Sequence, residues 1–355
     1  MNDRVLPEVL NVERLHDSKP ILSAVREHPW ESEVVFNPAC FLLNEKSDIS
    51  RLLENLSLPK HLLENLKNSK AICVLIYRAQ GITTEAEDFR RSRLGLALLT
   101  PELELLYRHL APIVTPENDY EDLGVEDPRI IRIKNRFFML YTGYSSKATG
   151  EHGSTHANKI NICLAVSDDL VSWKKFGVLK GKLNEIDNKN AVFFSKKVGS
   201  KYQMLHRPME GKDPMSIHIA HSARIFGEWT DDGVALRADE AARFSKSWIG
   251  AGAPPLQISN NKFLMLYHTG HYKINGAREY DLGLCVFSLD GGFQVLEKVE
   301  PLMIPETSAE TEGNVSLGVN NVLFVCGSYF YGGYLYFPYA GADSVILGAR
   351  IKMDI

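Results

Sequence analysis

The sequence predicts an all-β fold, a five-bladed β-propeller with a helical hairpin inserted in the first blade. Three observations carry that expectation. One strand pattern, running from a basic or polar start through aromatic and aliphatic residues to a polar or aromatic end, occurs five times. A second strand pattern follows each copy. Both patterns keep a common period, which ties them to one repeating unit.

In chain order, the first pattern reads AICVLIYR ending at Arg78, RFFMLYT at Thr142, KYQMLHR at Arg207, KFLMLYH at His268 and YLYFPYA at Ala340. Successive ends lie 64, 65, 61 and 72 residues apart. The second reads RLGLA to Ala97, NICLA to Ala165, SIHIA to Ala220, DLGLC to Cys285 and VILGA to Ala349, with separations of 68, 55, 65 and 64. A small sheet of short alternating strands buries its faces only against like neighbours, so such a repeat is what a propeller demands. The period exceeds the ~40–50 residues of common propeller repeats and leaves room for long loops in each blade. Asp, Ser and Gly in SDDLVSW, SARIFGEWTDD and SLDGGF favour tight connections after the second pattern. Trp173 and Trp229 recur at like positions after their strands and read as packing between blades.

One segment breaks the β rhythm. Residues 46–70 contain LLENL twice, with leucines on one face at helical spacing, and Ser47 and the Ser57–Pro59 stretch resemble helix starts. This hairpin could cover the mouth of a central site, build a subunit contact in a homo-oligomer, or decorate its own chain.

The composition excludes several function classes. Across 355 residues, 40 basic side chains stand against 44 acidic ones, a net charge of −4. No basic excess exists to neutralise a nucleic-acid backbone. No uncharged apolar run approaches the ~20 residues that cross a bilayer, and MNDRVLPEVLNVERLHDSKP has no signal-type apolar core. Cys40, Cys73, Cys163, Cys285 and Cys326 are odd in number, far apart and mostly set in apolar runs. They read as buried free thiols of a reducing compartment, and the chain is expected to be one cytoplasmic domain over 1–355, without nucleic-acid or membrane partners.

A propeller brings residues far apart in sequence to one axis. The polar candidates are Asn37 in VFNPAC, Glu126, Asp127 and Arg129 in GVEDPRI, Lys189 and Asn190 in NKNAVFF, and Asp343 in YAGADS, joined by the strand ends Arg78, Arg207 and His268. Lys189, Arg78, Arg207 and His268 keep blade-equivalent positions, a register that random surface charges would not hold. No metal is expected. His152 and His156 are four apart in a loop-like stretch, so they would not share a helix face. His218 and His221 read as packing or hydrogen-bonded residues, and no phosphate loop or dinucleotide fingerprint is present.

The segments PILS, HPWES, VFNPA, GVEDPRI, NKNAVFFSKKVGSKYQMLHRP, GAGAPPL, FLMLYH and YAGADSVILGA, in that order, resemble the mannoside phosphorylases and β-mannosidases of glycoside hydrolase family 130. The resemblance runs from about Pro20 to Ala349. It departs from the usual pattern in the helical hairpin, in the longer loop 145–159 and in AGAPP where many relatives have AGPPP. It implies a five-bladed propeller and inverting cleavage of a β-mannoside. By its motifs, Asp127 matches the general acid, and Lys189, Arg207 and His268 match the phosphate-holding residues. Asn37, Arg78, Arg93 and Asp343 match residues that hold the sugar. Glu126 is expected on the opposite strand face from Asp127, as a supporting or substrate group, because successive strand side chains alternate. Blander readings stand beside these: Asp343 as a hairpin anchor, Arg78 as its ion-pair partner.

The chemistry separates two activities on this fold. An inverting hydrolase needs an acid and a second carboxylate that activates water. A phosphorylase uses inorganic phosphate, already an anion, and needs donors that hold it opposite the leaving sugar. Lys189, Arg207 and His268, with no acid at those positions, favour phosphorolysis to α-mannose 1-phosphate and a shortened sugar, with phosphate as co-substrate and no cofactor. A furanosidase would place a carboxylate where this chain has Asn37. A non-catalytic sugar-binding propeller would need no acid at Asp127.

Overall fold

The repeat resolves into five antiparallel sheets in a computed structural model that describes residues 5–7, 10–82, 90–146, 159–209, 215–238, 244–314 and 319–353. Blade I is built from Val34–Leu43, Ile72–Gln80, Arg93–Leu99 and Leu105–Arg108. Blade II uses Gly124–Ile133, Arg136–Ser145, Lys159–Ser167 and Lys174–Val178. Blade III uses Asn188–Phe193, Tyr202–Pro208, Ile217–Ser222 and Thr230–Leu236. Blade IV uses Phe244–Ala251, Lys262–Lys273, Arg278–Ser288 and Gln294–Met303, with Leu256–Ser259 paired beside its second strand. In blade V, Leu323–Val325, Tyr334–Gly341 and Val345–Lys352 are followed outward by Val12–Arg14 from the start of the chain. The two sequence patterns are therefore the second and third strands of every blade.

The ring closes by that exchange. Val12 faces Ile351 and Arg14 faces Ala349, while Arg350 grips Glu13 with donors at 2.8 and 2.9 Å. Pairing this early strand with the last one ties the start of the chain to blade V. Apolar side chains fill the spaces between blades. Trp229 stacks on Phe193 with centroids 5.2 Å apart, and Trp173 packs at the edge of the blade I–II core, as the sequence expects. All five cysteines are buried free thiols.

The first strands of neighbouring blades meet around the axis. Three of them carry the same irregularity. Asn37, Asp127 and Asn190 have φ of 47°, 50° and 55°, and strand register slips at each. The left-handed conformation costs an L-residue energy, and Asn and Asp tolerate it best. A bulge at that point re-aims the side chain, and it sets the geometry of the site.

The helical hairpin forms as α1 (Lys46–Glu54) and α2 (Lys60–Lys67). It leaves blade I where Leu43 faces Ile72, the end remote from Phe36 and Arg78. Ile49, Leu52, Leu53, Leu56 and Leu66 enter the core shared by blades I and II. Arg132 of blade II bonds Asp48 at 2.6 Å and Glu45 at 3.1 Å. Of the three roles the sequence left open, the structure supports decoration of the hairpin's own chain, and the hairpin does not cover the mouth. Among the described residues no helix is long and apolar enough to cross a membrane.

Candidate active site

Cross-strand register sets five equivalent pairs around the axis: Phe36 with Arg78, Glu126 with Thr142, Lys189 with Arg207, Gly250 with His268, and Phe324 with Ala340. Each second member is the end of a first-pattern strand. Side chains opposite each other in an antiparallel pair share a face, so the repeat delivers one polar group per blade to the same level in four of five blades.

Arg78 organises one half of the ring. Its Nη2 donates to Glu126 Oε1 at 2.6 Å, its Nη1 to Asp127 Oδ1 at 3.2 Å and its Nε to Ser92 Oγ at 2.9 Å. The guanidinium lies 4.5 Å over the Phe36 ring, and Ser92 Oγ also donates to Glu126. Glu126 and Asp127 thus converge on one guanidinium. The expected alternation fails here because the bulge at Asp127 turns its side chain back onto the side of its neighbour. Asn37 Nδ2 donates to Asp127 Oδ1 at 2.7 Å across blades.

Arg129 staples the other half. It donates to the carbonyls of Asp127, Ala251 and Gly252 at 2.8, 3.2 and 3.0 Å, and to Asn190 Oδ1 at 3.3 Å. With its oxygen so engaged, the Asn190 carboxamide presents Nδ2 to His268 Nε2 at 3.0 Å. That makes Nε2 the acceptor and leaves the proton on Nδ1. The ring of His268 stacks on Phe324 at 4.0 Å. Blade IV has glycine at the matching inner position for a steric reason. A Cβ on Gly250 would come within 2.3 Å of Asn190 Nδ2 and 2.4 Å of His268 Nε2.

Charge in this funnel is close to balanced but unevenly paired. Arg78, Arg129, Lys189 and Arg207 face Glu126, Asp127 and Asp343. Burial opposes ionisation of Asp127, but Arg78, Arg129, Lys189 and the Asn37 amide together hold it below the usual carboxylate range. Burial and the Asp127 charge push Glu126 the other way. Burial also raises Asp343 to about 6, against the pull of Arg78. Lys189 is brought down to about 8 by burial and by Arg207. Burial, with Arg207, Arg129 and Lys189 nearby, drops His268 well below its ordinary value, so it is a neutral imidazole here.

Arg207 is the exception in the pairing. It is 3% exposed, and its Nε and Nη1 find no hydrogen-bond partner among the described residues. His268 Nδ1 and Asn37 Oδ1 are in the same state. Buried polar atoms without partners are costly and rare, and the donors among them mark where a ligand's oxygens belong.

Of the residues singled out from sequence, Asn37, Arg78, Glu126, Asp127, Lys189, Arg207, His268 and Asp343 interact in one cluster. Arg93 faces Ala79 and so occupies the other blade face from Arg78, which faces Leu94. Ser92 and Gly250 also belong to the site, though no motif marks them. Ser92 directly precedes the second pattern, and Gly250 is the blade-equivalent of Lys189, so the repeat itself held a signal for both. His152 and His156 lie outside the described residues.

The family described as β-1,4-mannooligosaccharide phosphorylase matches residues 70–355. A 1,2-β-oligomannan phosphorylase of Thermoanaerobacter sp. (strain X514) is 30% identical over 351 residues, covering 97% of this chain and 98% of that protein. A β-1,2-mannobiose phosphorylase of the same organism is 30% identical over 341 residues, covering 95% and 96%. The solved β-1,2-mannobiose phosphorylase of Listeria innocua in complex with β-1,2-mannobiose superposes with a TM-score of 0.71 at 17% identity, over 96% of this chain and 97% of that one. At that identity the superposition speaks to the fold alone.

Proposed function

The chain belongs to glycoside hydrolase family 130, and from that premise we propose how its funnel works on a β-mannoside and phosphate. The protein phosphorolyses β-mannosides, releasing α-mannose 1-phosphate and a sugar shortened by one unit. β-1,2-Linked mannosides are the substrates we assign, supported by the names of both relatives at 30% identity. The observation that carries phosphorolysis is Arg207, a buried guanidinium with two N–H groups lacking acceptors, paired across the strands with Lys189 and with no carboxylate bonded to it among the described residues.

In this reading the phosphate oxygens accept from Arg207 Nε and Nη1, from Lys189 and from His268 Nδ1. His268 contributes as a neutral donor. The planar guanidinium fixes orientation, and lysine adds a point charge. Arg78, Asn37 and Asp343 hold the sugar whose C1 is attacked, with Glu126 buttressing Arg78. Arg93 lies on the other blade face from Arg78 and is given no contact with the sugar.

The proton balance closes without a second base. An oxygen of hydrogen phosphate attacks C1, the C1–O bond to the leaving sugar breaks, and inversion gives the α-phosphate. Asp127, protonated at that stage, supplies the proton for the leaving oxygen, directly or through a substrate hydroxyl, and the proton lost by phosphate restores it. In the unliganded funnel Asp127 is held ionised by its cations. A phosphate on Lys189 and Arg207 neutralises cations whose charge holds Asp127 ionised, which raises its pKa toward a proton-carrying form. Binding of the co-substrate thereby arms the acid.

The reaction is proposed for the cytoplasm, in keeping with five buried free thiols. The test supplies β-1,2- and β-1,4-mannobiose with and without phosphate and follows both products. Mannose 1-phosphate formed from the β-1,2 substrate only when phosphate is present is the expected result. Free mannose released equally in both conditions would replace phosphorolysis by hydrolysis, and a preference for the β-1,4 substrate would overturn the linkage.

A further inference from the structure

Blade III holds a second set of ligating groups, on the face turned away from Arg207. His206 lies directly opposite His218 on the neighbouring strand, and Asp231 comes from the outer strand beyond. His218 Nδ1 is 3.0 Å from Asp231 Oδ2, and His206 Nε2 is 3.5 Å from Asp231 Oδ1. All three ligand atoms lie within 4.8 Å of one another. A tetrahedral ion with bonds of ~2.0–2.2 Å separates its ligands by roughly 3.3–3.6 Å, so the cluster is already near the size such an ion requires.

A second observation points to a ligand. His206 is 0% exposed, and its Nε2, aimed at Asp231, has no hydrogen-bond partner among the described residues. Its other nitrogen, Nδ1, is engaged by the Asn188 carboxamide, which is itself anchored to the Leu183 carbonyl at 2.9 Å. An imidazole fixed at one nitrogen by an outer hydrogen bond, with the other directed at a carboxylate, is the usual setting of a metal-binding histidine. Asp231 is half-exposed, which gives an ion a route in and a position for water.

We propose that His206, His218 and Asp231 bind a divalent transition-metal ion of the zinc class. Two imidazoles and one carboxylate suit zinc, whereas magnesium and calcium favour oxygen ligands throughout. The ion would pin three strands of blade III from behind the phosphate seat, because His206 precedes Arg207 and Asn188 precedes Lys189. The sequence carries no metal spacing for this site, since its ligands come from three separate strands. His221 and Asp232, close by, form no equivalent site: Lys201 Nζ sits 2.9 Å from His221 Nε2 and occupies its lone pair.

The test titrates metal-stripped full-length protein with Zn²⁺ by calorimetry and with Co²⁺ by visible absorption, and follows the melting temperature. One equivalent bound with Kd below about 10 µM, with a raised melting temperature, is expected. His218→Gln and Asp231→Asn, both at partly exposed positions, should each weaken binding by at least about 100-fold, while His221→Gln leaves it unchanged. Failure of the unsubstituted protein to take up either ion, or uptake that survives both substitutions, overturns the proposal. Stabilisation on mild acidification without any metal uptake would assign the cluster to a proton and overturn it equally.

Discussion

At one end of blade I, Phe36 faces Arg78 and the next residue, Asn37, adopts a left-handed backbone; at the other, Leu43 faces Ile72 and the chain passes into α1 and α2. The same two strands thus run between a polar end and an apolar one. At the polar end, bulges aim Asn37, Asp127 and Asn190 inward, and Arg207, His268 and Asn37 keep buried atoms without partners. At the apolar end, leucines of the hairpin fill the core, and Arg132 is bonded to both Asp48 and Glu45. A buried polar group left unpaired costs ~1–3 kcal/mol, so the funnel is a local loss of stability that the rest of the fold sustains. The contrast separates residues kept for a ligand from residues kept for the fold, and substitutions at the two ends should separate in the same way.

The largest effect is expected at the acid. Asp127→Asn should cut kcat by about 10²–10⁴-fold while the melting temperature stays within a few degrees. Steady-state kinetics beside calorimetry checks both parts, and retained turnover would remove Asp127 from the reaction. Next comes Arg207→Gln. Its kcat/KM for phosphate should fall by about 10²–10³-fold, with no loss of thermal stability, because the substitution removes a buried unpaired charge. A marked loss of stability instead would make Arg207 a structural residue.

At the other end the signs reverse. Leu52→Ala should cost ~2–5 kcal/mol of stability, read by denaturant unfolding, and leave kcat/KM within about twofold. The smallest effect is in pH. Lys189 binds phosphate as a cation, and its cationic form is lost as pH rises through about 8, so kcat/KM for phosphate should decline above that pH. Lys189→Arg should move the decline to higher pH, since a guanidinium stays charged. An unshifted decline would assign it to another group.

The repeat makes much of this legible in the sequence. Five copies of two strand patterns fixed blade number, and the strand ends Arg78, Arg207 and His268 fell at one level of the funnel. The hairpin at 46–70 was visible as well, because its leucines keep helical spacing. What the sequence hid depends on backbone detail. Period-two alternation placed Glu126 and Asp127 on opposite faces, and a bulge brings them onto one guanidinium. Gly250 looks like a turn residue until the neighbouring side chains fill its Cβ position. His206, His218 and Asp231 meet only through strand pairing, which no local spacing encodes.

The central claim is that the unpartnered donors of Arg207 are the seat of inorganic phosphate. A crystal structure of the protein soaked in phosphate tests it most directly. The expected result is a phosphate with oxygens within ~3 Å of Arg207 Nε and Nη1 and beside Lys189, on the side of the sugar site away from Asp127. A phosphate found elsewhere, with those two nitrogens bonded only to water, would contradict it.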